Sequence, residues 1–250
     1  MFNVHTIIDG FTITNGSAGH GGGLFCNDGA CPVIKGNRFI HNYGGNHGGA
    51  IALEGEATNP LIVNNLFLNN YLGGETYGGG AISQKQGSCR IINNTFAGNN
   101  AASGCGGAVT LAASSKLYNN IFYNNSSSIE NGGLSVYSHV PDQDIQFCDA
   151  FTDGADNDAQ THFAGVVLQY PETCLYVDPL FADMVDYRLA LTPTPSPCID
   201  KGANPGSAPY DDVPNVDIEG NPRPIDISGV GNEGGIAYSD MGAYEAQPQE

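Results

Sequence analysis

Tryptophan is absent from this 250-residue chain, and basic residues are scarce: eight lysines and arginines stand against 26 acidic residues, a net charge of −18. A nucleic-acid partner needs a basic stripe, and an anionic membrane surface needs a basic cluster. The scattered Lys35, Arg38, Lys85, Arg90, Lys116, Arg188, Lys201 and Arg223 supply neither. Acidic polysaccharides are repelled overall, although a local basic cluster would still serve them. No apolar run reaches the roughly 18 residues that a transmembrane helix needs. No CxxC pair occurs, which argues against zinc-ribbon or thioredoxin-like chemistry. The opening Met1-Phe2-Asn3-Val4-His5 lacks the charged and apolar regions of a signal peptide. The expectation is therefore a chain that starts inside a longer protein, with its first coils, export signal and anchor elsewhere.

The seven cysteines are an odd number. Proximity in sequence suggests Cys26–Cys31 and Cys174–Cys198 as pairs, and small disulfides would suit a secreted protein. Glycine is abundant, at 35 residues, and asparagine accompanies it, as in a fold with many tight turns.

The strongest signal is a repeat. Phenylalanine recurs at Phe11, Phe39, Phe67, Phe96 and Phe122. Two positions earlier stand Asp9, Asn37, Asn65, Asn94 and Asn120, and three positions later Thr14, Asn42, Asn70, Asn99 and Asn125. Five positions before each phenylalanine are Thr6, Ile34, Ile62, Ile91 and Leu117. A double glycine then leads an apolar strand at Gly21-Gly22-Gly23-Leu24, Gly48-Gly49-Ala50-Ile51, Gly79-Gly80-Ala81-Ile82, Gly106-Gly107-Ala108-Val109 and Gly132-Gly133-Leu134. A leucine ladder and helical periodicity are both missing, which leaves several short strands per coil. The predicted fold is an all-β, right-handed parallel β-helix. Phenylalanines stack inside it, and two asparagine ladders hydrogen-bond coil to coil at the strand spacing of about 4.8 Å. Asparagine also tolerates the left-handed backbone of a corner.

The GGA[ILV] and FxxN elements (Phe39-Ile40-His41-Asn42, Phe67-Leu68-Asn69-Asn70, Phe96-Ala97-Gly98-Asn99, Phe122-Tyr123-Asn124-Asn125) resemble the repeats of polymorphic outer-membrane-type adhesins and related bacterial β-helix surface proteins. The closing Asp240-Met241-Gly242-Ala243-Tyr244-Glu245 resembles the end of bacterial choice-of-anchor Q proteins. The resemblance implies a secreted or surface-attached protein. The expected organisation is regular coils over residues 1–140, degenerate coils with an Asp-rich loop over 141–195, and a capping segment over 196–250 that covers the open end of the solenoid.

Alternation along the strand after each double glycine turns Leu24/Cys26, Ile51/Leu53, Ile82/Gln84, Val109/Leu111 and Leu134/Val136 inward. The outward columns are then Phe25, Ala52, Ser83, Thr110, Ser135 and Asn27, Glu54, Lys85, Ala112, Tyr137. Asn27, Glu54, Lys85 and Tyr137 form a candidate saccharide-binding strip, with the solvated face and a Glu54–Lys85 ion pair as the plainer reading. His20 and His47 precede consecutive double glycines, a column continued by Gly78, Cys105 and Asn131. Two stacked histidines could ligate an ion, and polar corner residues are the preferred reading. Asp149, Asp153, Asp156 and Asp158, in a stretch starting at Asp142 and Asp144, are the candidate calcium ligands, since hard oxygen donors suit that ion; their spacing is not that of an EF-hand. No cofactor is required.

The expected function is a non-catalytic, structural, adhesive or glycan-contacting role at the cell surface. The alternative is a lyase or glycoside hydrolase acting on an acidic polysaccharide. It is the weaker reading: Lys85 is the only basic residue on the strip, and Gly19-His20-Gly21 is too short a match to a hydrolase motif to carry weight.

Overall fold

The structure, a computed structural model, describes residues 6–74, 78–129, 133–165, 173–206, 208–227, 230 and 238–248. Its regular part is an all-β parallel β-solenoid of six coils, and the third coil shows the unit. Leu61–Val63, Leu66–Leu68, Tyr71–Leu72 and Ile82–Gln84 are short strands joined by corners. Each pairs in parallel with its counterparts above and below, so four sheets run along the solenoid. Sheet one has six strands, from Ile7–Asp9 to Asp144–Gln146, and sheet two six, from Thr12–Thr14 to Asp149–Phe151. Sheet three has five, from Ser17–His20 to Ser126–Ser127. Sheet four has six, from Leu24–Cys26 to Phe163–Gly165.

Asparagine doublets build the first two corners, with a different task for each member. The leading residue takes the left-handed conformation, as at Asn64, Asn93, Asn119, Asn69 and Asn124, with φ between 51° and 56°. The following one forms the ladder. Asn65 Oδ1 accepts from the backbone N–H and the Nδ2 of Asn37 at 2.9 and 3.1 Å, and Asn65 Nδ2 donates to Asn94 Oδ1 at 3.0 Å. The second ladder, Asn42–Asn70–Asn99–Asn125, repeats the pattern. All eight ladder side chains are buried, so their amides must be satisfied internally. The two roles expected of one asparagine thus fall to neighbours.

Between the ladders, Phe39, Phe67, Phe96 and Phe122 stack with centroids 4.7–5.0 Å apart and ring planes within 12° of parallel. Phe11 does not join them. Ile13 pairs with Phe39 and Ile8 with Ile34, and Phe11 stands at 59% exposure. The first coil is therefore two residues out of the expected frame. Phe11 occupies the ladder slot, where its N–H donates to Asn37 Oδ1, while Asp9 lies opposite Lys35 and Thr14 opposite Ile40. The spacing of five between inward residues decides the frame: Ile8 and Ile13 meet it with two apolar side chains, whereas Thr6 and Phe11 would bury a threonine.

A sixth coil follows where the period was expected to fail. Asp144–Gln146 and Asp149–Phe151 pair with the fifth coil in unbroken register. Ala150 stands where a phenylalanine is usual, and Cys148 replaces the ladder asparagine, accepting from Asn120 Nδ2 at 3.8 Å. Cys174 continues that column, its sulfur accepting from the Cys148 N–H. All seven cysteines are free thiols and six are buried. The expected pairs do not form: Cys26 faces the core beside Leu53 while Cys31 is exposed, and Cys198 donates instead to Asp149.

The described residues of 196–248, a segment expected to cover the open end, pack along the flank formed by sheets one and two. Ala203 and Val213 pack on Val63, Ile92 and Tyr118, while Ala243 and Tyr244 pack on Leu66, Leu68 and Ala97. The Asp240–Glu245 motif is the clamp. Asn93 Nδ2 and the buried Arg223 both donate to the carbonyls of Asp240 and Gly242, Thr95 Oγ1 accepts from Ala243 N–H, and Arg38 donates to the Tyr244 hydroxyl. Gly242, at φ 87°, lies so close to Ile121 and Thr95 that a Cβ would clash. No helix among the described residues is long and apolar enough to cross a membrane.

Candidate functional site

The double-glycine turn decides what reaches the surface near sheet four. At the first glycine of each pair, a Cβ would collide with the carbonyl three residues on: Leu24 for Gly21, Ile51 for Gly48. Both glycines are left-handed, with φ 56° and 57°. The turn therefore folds flat onto the outer face of the strand that follows. Ser83 Oγ accepts from the N–H groups of Gly48 and Gly79, and Thr110 Oγ1 from that of Gly106. Ala52, Ser83 and Thr110, expected to face water, are consequently buried; Ser135, expected beside them, is buried one position before the strand, where its hydroxyl meets His162 Nδ1 at 3.0 Å. The inward column is as expected over the second to fourth coils, with Ile51, Leu53, Ile82, Val109 and Leu111 in the core; in the fifth coil Val136 and Ser138, not Leu134 and Val136, hold its two positions. Gln84 is buried among them, and neither end of its amide finds a hydrogen-bond partner.

The folded turn also carries the histidine before each of the first two glycine pairs back over the next strand's end. His20 and His47 are coil neighbours, with ring centroids 4.9 Å apart. Glu54, one residue past the sheet-four strand of the second coil, meets them. Its Oε1 lies 2.7 Å from His20 Nδ1 and 3.9 Å from His47 Nε2. Lys85 of the third coil places Nζ 3.4 Å from His47 Nε2. Phe25 packs beside His20, centroids 5.5 Å apart. The expected Glu54–Lys85 pair thus gives way to two separate partnerships with the histidine column. His47 is largely buried, while the His20 side chain keeps 38% exposure, so the cluster opens to water on one side.

Asn27 stays exposed in the column of Glu54. Tyr137 does not: it pairs with Thr110, and His139 takes the place expected for it. The cause is a two-residue displacement of the strand: Gly133 pairs with Gly106 and so holds the first-glycine position, and Val136, in place of Leu134, pairs with Val109. Gly132 and Asn131 lie outside the described residues. Two exposed tyrosines complete this side of the molecule. Tyr43 and Tyr71 pair across sheet three with rings 5.7 Å apart and 17° from parallel, continued by Asn100 and Ser126, whose side chains are bonded to each other. Tyr43 and His47 bound the same strand.

The candidate calcium ligands do not converge. Asp149 is buried, accepting from Val177 N–H and the Cys198 thiol, and burial pushes its carboxyl up to about 7. Asp153 is bonded to Asn124, and Asp158 caps the short helix Ala159–His162, which holds its carboxyl below the usual range. Asp156 is exposed on the same loop. Among the described residues, the one group of three metal-competent side chains is His20, His47 and Glu54, whose ligand atoms all lie within 4.8 Å of one another.

The members of this cluster were visible in the sequence, but in separate columns. Their union depends on how the glycine turn folds. The tyrosine pair had a signal that column alignment exposes: each tyrosine directly follows a ladder asparagine, as Asn42-Tyr43 and Asn70-Tyr71. No known protein family matches the chain, and neither a curated protein nor a solved structure matches it.

Proposed function

We propose that this chain is a non-catalytic, glycan-contacting β-helix of the bacterial cell surface or secreted fraction, with sheet three and its rim as the contact face. The observation that carries the reading is the exposed, stacked Tyr43–Tyr71 pair. Tyrosine offers an apolar ring body and a polar tip, which suits a sugar with its C–H face and hydroxyl rim. The polar row Asn100–Ser126 extends the same outward column, and sheet three carries His20 and His47 at its other edge. The GGA[ILV]/FxxN repeats and the DMGAYE ending, which resemble bacterial surface β-helix proteins, support the location. A glycan array tests the proposal: binding to a defined set of oligosaccharides is expected, and it weakens when Tyr43 and Tyr71 are replaced by alanine. Retention of all binding by that variant would overturn it.

The second reading, cleavage of an acidic polysaccharide, is favoured by one feature, the placement of Lys85 beside the His20–Glu54–His47 cluster. Chain shortening of pectate, alginate or chondroitin that disappears in Lys85→Ala would replace the first reading with this one.

A further inference from the structure

We infer that His20 Nδ1, His47 Nε2 and Glu54 Oε1 form a three-ligand site for one divalent transition-metal ion of the zinc class. The inference stands on geometry alone and is independent of glycan contact. A tetrahedral zinc with bonds of about 2.0–2.2 Å holds its ligand atoms roughly 3.3 Å apart. The separations of 2.7 Å and 3.9 Å from Glu54 Oε1 bracket that value, and all three atoms already lie within 4.8 Å of one another. Closing the set takes side-chain adjustments of about an ångström, and His20 sits on the open rim, where such movement is unhindered. The bond between His20 and Glu54 is replaced by the ion: the neutral imidazole of His20 then carries its one ring proton on Nε2, and Nδ1 and the Glu54 carboxylate each offer a lone pair to the metal.

The donor set selects the metal. Two imidazoles and one carboxylate suit zinc, cobalt, nickel or copper, whereas calcium wants six to eight oxygens and magnesium a near-octahedral oxygen shell. The open side leaves a position for water. The backbone prepares the site: two consecutive left-handed glycines, Gly21 and Gly48, set each histidine at the same height over adjacent coils. The excess of acidic groups over the whole chain draws cations towards it. Lys85 opposes the ion, because its ammonium lies 3.4 Å from His47 Nε2. A long, exposed side chain can swing clear, so Lys85 competes with the metal without blocking it.

The test uses the whole chain, stripped with a chelator and titrated with Zn²⁺ by calorimetry and with Co²⁺ by absorption spectroscopy. One equivalent should bind, with cobalt ligand-field bands and no thiolate-to-cobalt charge-transfer band, which separates this site from the free cysteines. His20→Ala and Glu54→Gln should each weaken binding by about tenfold or more, since loss of a mere supporting partner already costs on the order of 10–100-fold. Lys85→Ala should tighten it. Circular dichroism shows whether each variant is folded, and the exposed His20 makes its variant the safest. Absence of saturable uptake, a thiolate band, or undiminished affinity in folded His20→Ala and Glu54→Gln would overturn the site, as would weaker binding in Lys85→Ala.

Discussion

The two flanks of this solenoid are treated in opposite ways. Beyond the first coil, sheets one and two are covered by the described residues of 196–248, which lay apolar side chains and a buried arginine over them, while sheet three carries tyrosine, asparagine and serine into water. The same repeat underlies both. Coil-to-coil pairing satisfies the backbone on every sheet, so each outward face is free to serve a separate purpose. On the covered flank the outward residues are packing partners of Ala203, Val213, Ala243 and Tyr244. On the open flank they have no such partner among the described residues of the C-terminal segment, and the exposed tyrosine pair and the histidine cluster gather there. The purpose of the fold is to be sought on that side.

If the comparison is right, the covered flank is where substitutions cost most. Arg223 is fully buried, 3.6 Å from Glu245 and bonded to two carbonyls of the clamp. Arg223→Met strands the Glu245 and Asp240 carboxyls, so chemical denaturation should show a loss of about 3–5 kcal/mol. A variant as stable as the parent would mean that the segment is only loosely held.

A second probe sits where the covering segment meets the last coils. Asp149 has its carboxyl raised by burial to about 7, against about 4 in an unfolded chain. A raised carboxyl contributes stability that is fully present below about pH 4 and is lost as pH rises through about 7. The buried His162, lowered to about 4, acts in the opposite sense, favouring the fold above about pH 6.5 and losing its contribution as pH falls towards 4. A difference measurement isolates Asp149: the stability of Asp149→Asn relative to the parent should rise steadily between pH 4 and pH 7. A flat difference would place that carboxyl in contact with water.

The core between the flanks offers a gain. Gln84 interrupts the Leu53–Leu111 column with an unsatisfied amide, so Gln84→Leu should add about 1–2 kcal/mol, read as a higher denaturation midpoint at unchanged slope. The smallest stability effect belongs to the open flank. Tyr43→Ala with Tyr71→Ala should cost about 1 kcal/mol or less in total, the scale of exposed substitutions and a lost stacked pair, while removing the proposed glycan binding.

Much of this fold was legible because ladders force identity upon successive coils: Phe39 to Phe122 and the two asparagine columns fell into place from spacing alone. Legibility ended where a coil satisfies the same geometry with different chemistry. Ile8 and Ile13 hide the first coil's frame behind an exposed Phe11, and Cys148 and Ala150 disguise the sixth coil because a thiol and a methyl group can fill ladder and stack positions next to the solenoid's end. The flank packing of the C-terminal segment has no periodic signal, since it depends on irregular contacts such as Asn64 with Val216 and Asn119 with Ala203. For the site, His20, His47, Glu54 and Lys85 could each be placed in a column, but the distance between columns is set by how tightly Gly21 and Gly48 turn.

The division of labour between the flanks is tested most directly by hydrogen–deuterium exchange with and without a glycan that the array identifies. The account predicts protection confined to 17–20, 43–47 and 71–72 and their neighbours on the open flank. Protection on 196–248, with the open flank unchanged, would contradict it.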